Sequence, residues 1–314
     1  MAAALGFLYT PTGKDTPGVR VLRVFGDTPC PVLPGSIAGL PVREIGPYCF
    51  AAREVTGGRF WSEDSAMTPA HPLCGEFVQG VTLPQSVRVL HSAAFYNCRA
   101  LQTLTLGTAV EALGSDLFTN CRALQDFVVN GAPDAPTGLK KLLGAVSSDI
   151  TVRFSGGTAK LFYPEYFEWL DENTPAHIFN RSIEGEGYRY RQCFGGPSGN
   201  VLRFYEYDKA FAKACGCESK ATLCRIALYR LQAPFSLSDA AKAAYLALLA
   251  QNGAEACALA LALRDADALL LLAPLLTAEA RRAAALQCGA LGWSKGAALL
   301  LGRTAGHTAK RYDF

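Results

Sequence analysis

The chain has 314 residues, of which 50% are hydrophobic, so it is long enough for two domains with buried cores. Its formal charge is +3, and neither half is a basic module, because residues 1–155 hold 12 Lys+Arg and 12 Asp+Glu while the rest holds 18 and 15. A charge this small does not by itself indicate a nucleic-acid-binding protein. The N-terminus has no basic region and is a poor signal peptide, so the eleven cysteines are expected to be reduced thiols in a cytoplasmic protein.

The first predicted elements lie before residue 78. We interpret Val19–Phe25 as a capping hairpin or a first strand. In Leu33–Ala52 the apolar spacing matches a later segment, with Phe50 corresponding to Phe95, 45 residues further on. Residues 56–77 are rich in Gly and Pro, and we expect them to form an irregular coil or a loop.

An internal repeat follows. Val78–Ala100 and Leu101–Ala123 overlay without a gap and share 11 of 23 positions, including F-x-N-C-R-A at the end of each. A fixed period in the twenties is typical of a solenoid, in which each coil exposes an apolar face that only its neighbour covers. The pattern L-x-x-L-x-L predicts a strand at the start of each coil. The overlay of the two repeats also assigns Cys98 and Cys121 to equivalent small apolar core positions, so we do not expect them to be reactive thiols.

The segment LPQSVRVLHSAAFYNCRALQTLTL, Leu83–Leu106, resembles the BspA-like leucine-rich repeat, a bacterial type. The resemblance covers roughly residues 20–155, and His91 and Gly107 depart from its usual pattern. It implies a curved stack of coils used as a binding scaffold, with no enzymatic activity and no cofactor. "LQDFVV" is predicted as a further strand, and Asp149–Phe154 as the last strand of a domain spanning residues 1–155.

Residues 156–206 are rich in aromatic residues and punctuated by Gly and Pro, and we interpret them as a connector. Within it we predict a short helix at Tyr163–Asp171. A strand or hairpin is predicted around Tyr188–Phe194 and Val201–Tyr205.

Residues 207–314 have helical periodicity. Ser236 and Thr277 are predicted helix N-terminal signals, and Gly253 and Gly289, which are 36 residues apart, are predicted helix stops. Paired short helices at this spacing resemble an ankyrin-like or other α-helical repeat. The most apolar stretch, residues 256–276, is interrupted by charged residues, so we expect no membrane association. The fold class is therefore predicted as α+β, a leucine-rich-repeat β-solenoid followed by an all-α helical-repeat domain.

The partner-binding surface is predicted from strand geometry. Residues that alternate with the core positions face outward, and repeat proteins use such extended faces for partners. On the two clearest strands these residues are Gln102, Thr103, Thr105, Gln125, Asp126 and Val128. Candidate aromatic anchors elsewhere are Trp61, Tyr96, Tyr188 and Tyr190.

Two other functional classes stay open. A metal-binding or cysteine-dependent enzyme would have its site in the connector, around His177, Cys193, Cys215, Cys217 and Cys224, although Cys-x-Cys is a poor chelate. A nucleic-acid binder would need Arg181, Arg189, Arg191 and Arg203 on one face. The preferred interpretation is a non-enzymatic protein–protein interaction module, an adaptor or scaffold with no cofactor, no metal, no nucleic acid and no membrane partner.

Overall fold

The computed structural model describes residues 4–13, 17–156, 158–171 and 180–302, and these form two compact units. The first unit contains the described residues up to Thr158 and those from Tyr163 to Arg203. The second contains Ala159–Phe162 and the described residues from Phe204 onward.

The first unit is built largely from short strands. In chain order they are β1 (Gly6–Pro11), β2 (Val19–Phe25), β3 (Ser36–Ile37), β4 (Leu40–Ile45), β5 (Arg59–Ser62), β6 (Gly80–Thr82), β7 (Val89–Leu90), β8 (Thr103–Gly107), β9 (Ala112–Leu113), β10 (Asp126–Asn130) and β11 (Ile150–Phe154), with helix α1 (Leu139–Gly144) between the last two. Strand β12 (Lys160–Tyr163) comes next, and all of it except Tyr163 belongs to the second unit. The first unit continues with β13 (Phe167–Asp171), β14 (Asn180–Glu184), helix α2 (Gly187–Tyr190), β15 (Phe194–Gly195) and β16 (Val201–Leu202).

Two sheets form the walls of an N-terminal β-solenoid, as predicted. The strands β6, β8, β10 and β11 are parallel neighbours in one sheet. The return strands β4, β7 and β9 are parallel neighbours in the other. The antiparallel pair β1–β2 extends the second sheet, because β2 pairs with β4 and β1 pairs with β5. Val19–Phe25 is therefore part of a hairpin at the beginning of the stack, and the segment predicted as irregular contributes the edge strand β5.

One phenylalanine from each of three coils forms a column in the core of the solenoid. The rings of Phe50 and Phe95 stack with centroids 5.1 Å apart, and those of Phe95 and Phe118 with centroids 5.7 Å apart. The Cys98 thiol donates to the backbone oxygen of Phe50 at 3.1 Å, and the Cys121 thiol makes the equivalent bond to Phe95 at 3.0 Å. Both cysteines are buried, so the repeated motif builds the contact between successive coils.

The asparagine of the same motif shapes the turn. Asn97 and Asn120 have φ values of 59° and 62°, in the left-handed region that asparagine tolerates better than most residues. The Asn120 side-chain amide donates to the Asn97 side-chain oxygen at 2.7 Å. The repeated asparagine therefore satisfies a backbone requirement of each coil and also joins neighbouring coils.

The helix predicted at Tyr163–Asp171 is wrong. Phe167–Asp171 is strand β13, which forms an antiparallel hairpin with β14. Phe167 and Trp169 flank Glu168 there, and this alternation of aromatic and acidic residues suits a strand. The hairpin predicted further along is confirmed in part, because β15 pairs with β16, while Gly187–Tyr190 is helical.

The second unit is helical, as predicted. Its helices are α3 (Phe204–Ala214), α4 (Lys220–Gln232), α5 (Asp239–Gln251), α6 (Gly253–Ala262), α7 (Ala266–Leu272), α8 (Ala278–Ala290) and α9 (Ser294–Gly302). A buried ion pair lies among them, since Arg230 donates to both carboxylate oxygens of Asp208, at 2.7 and 2.8 Å. The hydroxyl of Tyr245 donates to the same carboxylate at 2.8 Å.

The helix boundaries correct the predicted repeat. Thr277 caps α8 as predicted, but Ser238, not Ser236, caps α5. Gly253 begins α6 instead of ending α5, and Gly289 lies inside α8. The two caps are 39 residues apart, and buried positions recur at the same offset, in the pairs Tyr245 and Ala284, Leu249 and Cys288, and Leu261 and Leu300. The period in the helical unit is therefore 39 residues rather than the predicted 36.

Candidate functional site

The parallel sheet places the predicted partner-binding residues on one outward surface, which we call the strand face. Leu104, Leu106, Phe127 and Val129 are buried, so the residues between them point away from the core. The register aligns Gly80, Thr103, Asp126 and Thr151 in one row. It aligns Thr82, Thr105, Val128 and Arg153 in a second row.

Two glutamines extend the strand face at the beginning of the strands. Gln102 and Gln125 are exposed. The backbone N–H of Gln125 donates to the backbone oxygen of Gln102 at 3.0 Å, and Gln102 bonds to Gln79 in the same way at 2.7 Å. Their backbones are therefore fixed by the ladder, which leaves the side chains available to a partner.

One charged residue of the strand face was missed by the sequence analysis. Arg153 on β11 forms an ion pair with Asp126 on β10 at 2.5 Å. The Arg153 side chain is 47% exposed and that of Asp126 is 14% exposed. The signal was present in the sequence, because Asp149–Phe154 was predicted as a strand and Arg153 occupies an outward position on it.

The aromatic anchor candidates lie away from the strand face. Trp61 is on β5 in the other sheet, half-buried, with its ring 6.1 Å from that of Phe7. Tyr96 is half-buried and lines a cavity of about 450 Å³ together with Tyr48 and Arg53. The eight predicted partner-binding residues therefore occupy three separate places, six of them on the strand face.

The other two candidate aromatic anchors, Tyr188 and Tyr190, differ in exposure. Tyr190 is fully buried, so it does not present its ring to a partner. Tyr188 is half-buried and packs edge-on against Tyr166 with centroids 5.5 Å apart. Both residues belong to the helical turn α2, which packs into the first unit.

The repeated cysteines have the chemistry of core residues. Burial raises the pKa of the Cys121 thiol to about 12 and raises that of Cys98 further. A thiol with such a pKa is not a nucleophile near neutral pH. Arg99, next to Cys98, is exposed and bonds to Glu76 at 3.2 Å, so it does not activate the thiol.

The described residues give no support to the alternative of a metal-binding or cysteine-dependent enzyme with its site in the connector. Cys193 and Cys224 are buried, whereas Cys215 and Cys217 are exposed, and none of the eleven cysteines, all of which the structure describes, forms a disulfide. Within residues 4–13, 17–156, 158–171 and 180–302 no group of three or more His, Cys, Asp or Glu side chains is arranged to hold a metal ion. His177 lies outside the described residues.

Arg191 is buried, so it cannot contribute to a nucleic-acid-binding surface. Its guanidinium donates to backbone oxygens of Leu143, Val146, Ser148, Pro164 and Gly187. Arg189, two residues earlier, is exposed. The guanidinium of Arg191 therefore ties α2 to the segment around α1, and the four arginines required for a nucleic-acid face do not share one.

A cavity of the first unit lies beside this guanidinium. It has a volume of about 910 Å³, and its wall includes Lys140, Lys141, Tyr166, Glu168 and Tyr188. Lys141 donates to the backbone oxygen of Glu111. The lining mixes both signs of charge, and Arg191 is part of it.

In the part of the chain that the structure describes, no single helix is long and apolar enough to cross a membrane. The pair Asp239–Gln251 and Gly253–Ala262 passes that test when taken together, but it is bent by 90°.

Comparison with known proteins identifies the repeats. Neither a curated protein nor a solved structure matches the chain. A family model described as "BspA type Leucine rich repeat region (6 copies)" matches residues 74–134. The matched stretch contains the coils of β6 to β10, with Phe95, Cys98, Phe118 and Cys121 of the core column, whereas Phe50 precedes it. Residues 74–134 are therefore a BspA-type leucine-rich repeat region, within an N-terminal β-solenoid that is followed by helices.

Proposed function

We propose that this protein is a non-enzymatic interaction module, an adaptor or scaffold, that binds a protein partner through the strand face. The observation that carries the proposal is the pair of outward rows on β6, β8, β10 and β11, which contain polar side chains held in fixed register. Such repeats commonly serve as protein-interaction modules, because coils stacked in one direction present an extended surface.

The chemistry of the strand face suits recognition better than catalysis. Threonine hydroxyls and glutamine amides donate and accept hydrogen bonds but are poor acids and bases. The Arg153 side chain, which is paired with the largely buried Asp126, is itself about half exposed and is a candidate for contact with a partner's charges. We propose that the partner is a protein, that no cofactor is needed, and that the protein acts in the cytoplasm.

The test compares three versions of the full chain as bait. One is unchanged, and the second carries Gln102→Ala, Thr105→Ala, Gln125→Ala and Asp126→Asn. The third is a control with Arg99→Ala and Arg122→Ala, which changes exposed side chains of the same coils outside the strand face. Circular dichroism first checks that all three are folded.

We expect a protein captured from native lysate by the unchanged chain and by the control, and lost from the strand-face variant. The captured protein is then purified, and its affinity for each version is measured by calorimetry. If the strand-face variant binds the purified protein as tightly as the unchanged chain, the strand face is not the binding surface.

A further inference from the structure

The β13–β14 hairpin exposes two large aromatic side chains side by side. Phe167 is 54% exposed and Trp169 is 58% exposed. They are two residues apart on one strand, so they project from the same side of the hairpin. Contiguous exposed apolar groups of this kind mark interaction sites on soluble proteins.

The cross-strand neighbours of these rings are polar. The register pairs Phe167 with Glu184 and Trp169 with Ser182. Directly opposed residues of an antiparallel pair project from the same side. Glu184 is exposed, as is Glu165, which lies two residues before Phe167. We call the surface formed by Phe167, Trp169, Ser182 and Glu184 the hairpin face.

The sequence of the hairpin is strongly acidic. Residues 163–186 contain six Asp+Glu and one arginine, Arg181, which gives a formal charge of −5 in a chain whose total is +3. Three of the glutamates, Glu165, Glu168 and Glu184, are exposed. An acidic surface attracts a basic partner and repels both nucleic acid and anionic lipid. The negative charge of the hairpin therefore favours a basic partner over nucleic acid or lipid as the molecule that covers Phe167 and Trp169.

The geometry points to a basic segment of another protein, and we propose that the hairpin face binds an extended, arginine-containing segment of a partner. An arginine guanidinium stacks on the Trp169 ring and pairs with the Glu184 carboxylate. An isolated two-stranded hairpin is only marginally stable in water, so covering its aromatic side also stabilises the hairpin. This surface is separate from the strand face, and the inference does not depend on the strand-face proposal.

The probe is a short fluorescent peptide in which arginine alternates with valine, titrated with the full chain and followed by anisotropy. We expect binding that weakens as salt is added, because the contacts are between exposed charges. A peptide with glutamate in place of arginine is expected not to bind, and a labelled oligothymidine likewise.

Three variants locate the site. Trp169→Ala is expected to weaken binding roughly threefold to thirtyfold, the range for loss of a cation–π contact. Glu184→Gln keeps the shape of the side chain and is expected to weaken binding as well. Tyr205→Ala removes an aromatic ring that is 68% exposed on α3 and is expected to leave the affinity unchanged.

The variant with changes at Gln102, Thr105, Gln125 and Asp126 is expected to bind the arginine peptide as tightly as the unchanged chain. The strand-face proposal and the hairpin-face proposal can therefore fail independently of each other. Equal binding of the arginine and glutamate peptides overturns the proposal. So does full affinity in Trp169→Ala, or binding of the oligothymidine at the hairpin.

Discussion

Replacing Phe95 by alanine tests the idea that the aromatic column joins the coils of the solenoid. Phe95 is fully buried and stacks on Phe50 and on Phe118. Loss of a buried phenylalanine costs about 3–5 kcal/mol. We expect the upper part of that range, because the ring also loses two aromatic pairs, each contributing about 0.5–1.5 kcal/mol. The matched control is Phe77→Ala, since Phe77 is 47% exposed and should cost much less.

Amide hydrogen exchange is the suitable assay, because a chain with two compact units need not unfold in one step. In Phe95→Ala we expect strand β8 to lose protection by the equivalent of about 4–5 kcal/mol. Helix α5 in the second unit should keep its protection. If β8 is affected no more by Phe95→Ala than by Phe77→Ala, the column does not hold the coils together. An equal loss of protection in α5 would also refute the reasoning.

Two further predictions concern titratable groups. Burial raises the pKa of Glu44, but hydrogen bonds from His91 and Arg20 outweigh it, so the pKa lies below 4.5. Ionised Glu44 therefore stabilises the fold above pH 4.5, and this contribution is lost as the pH falls through the lowered pKa. Melting curves should show the unchanged chain more stable than Glu44→Gln near neutral pH, with the difference shrinking in acid; a constant difference would contradict this. In thiol titrations of the folded chain, the buried Cys98 and Cys121 should react only after denaturation, while rapid reaction is expected at the exposed cysteines Cys30, Cys215 and Cys217.

The strand face was largely predictable, because alternation along a strand is a local property. Once Leu104, Leu106 and Phe127 are assigned to the core, Thr105 and Val128 must face outward. Which aromatic side chains are exposed could not be predicted in this way, because the type of a side chain does not indicate whether it is buried. Tyr190 is buried, whereas Trp169, which the sequence analysis placed on a helix, is exposed.

The sequence by itself determined the period, the core column and the turn of each coil. These features rest on residues at fixed short spacings, such as Phe95, Asn97 and Cys98, and each recurs 23 residues later. Within the helical unit it determined that helices form, but its glycine spacing of 36 differed from the 39 residues between the caps Ser238 and Thr277. Glycine tolerates several positions in and after a helix, whereas a capping hydroxyl has a fixed place.

Only the tertiary structure decided which polar residues are paired across long separations. His91 bonds to Glu44, 47 residues earlier in the chain, at 2.7 Å. Arg191 is buried because carbonyl groups from segments up to 48 residues away surround its guanidinium. Burying a guanidinium costs free energy, and here that cost is offset by backbone carbonyl groups that only the folded chain brings together. No local sequence pattern therefore indicates which arginine will be buried.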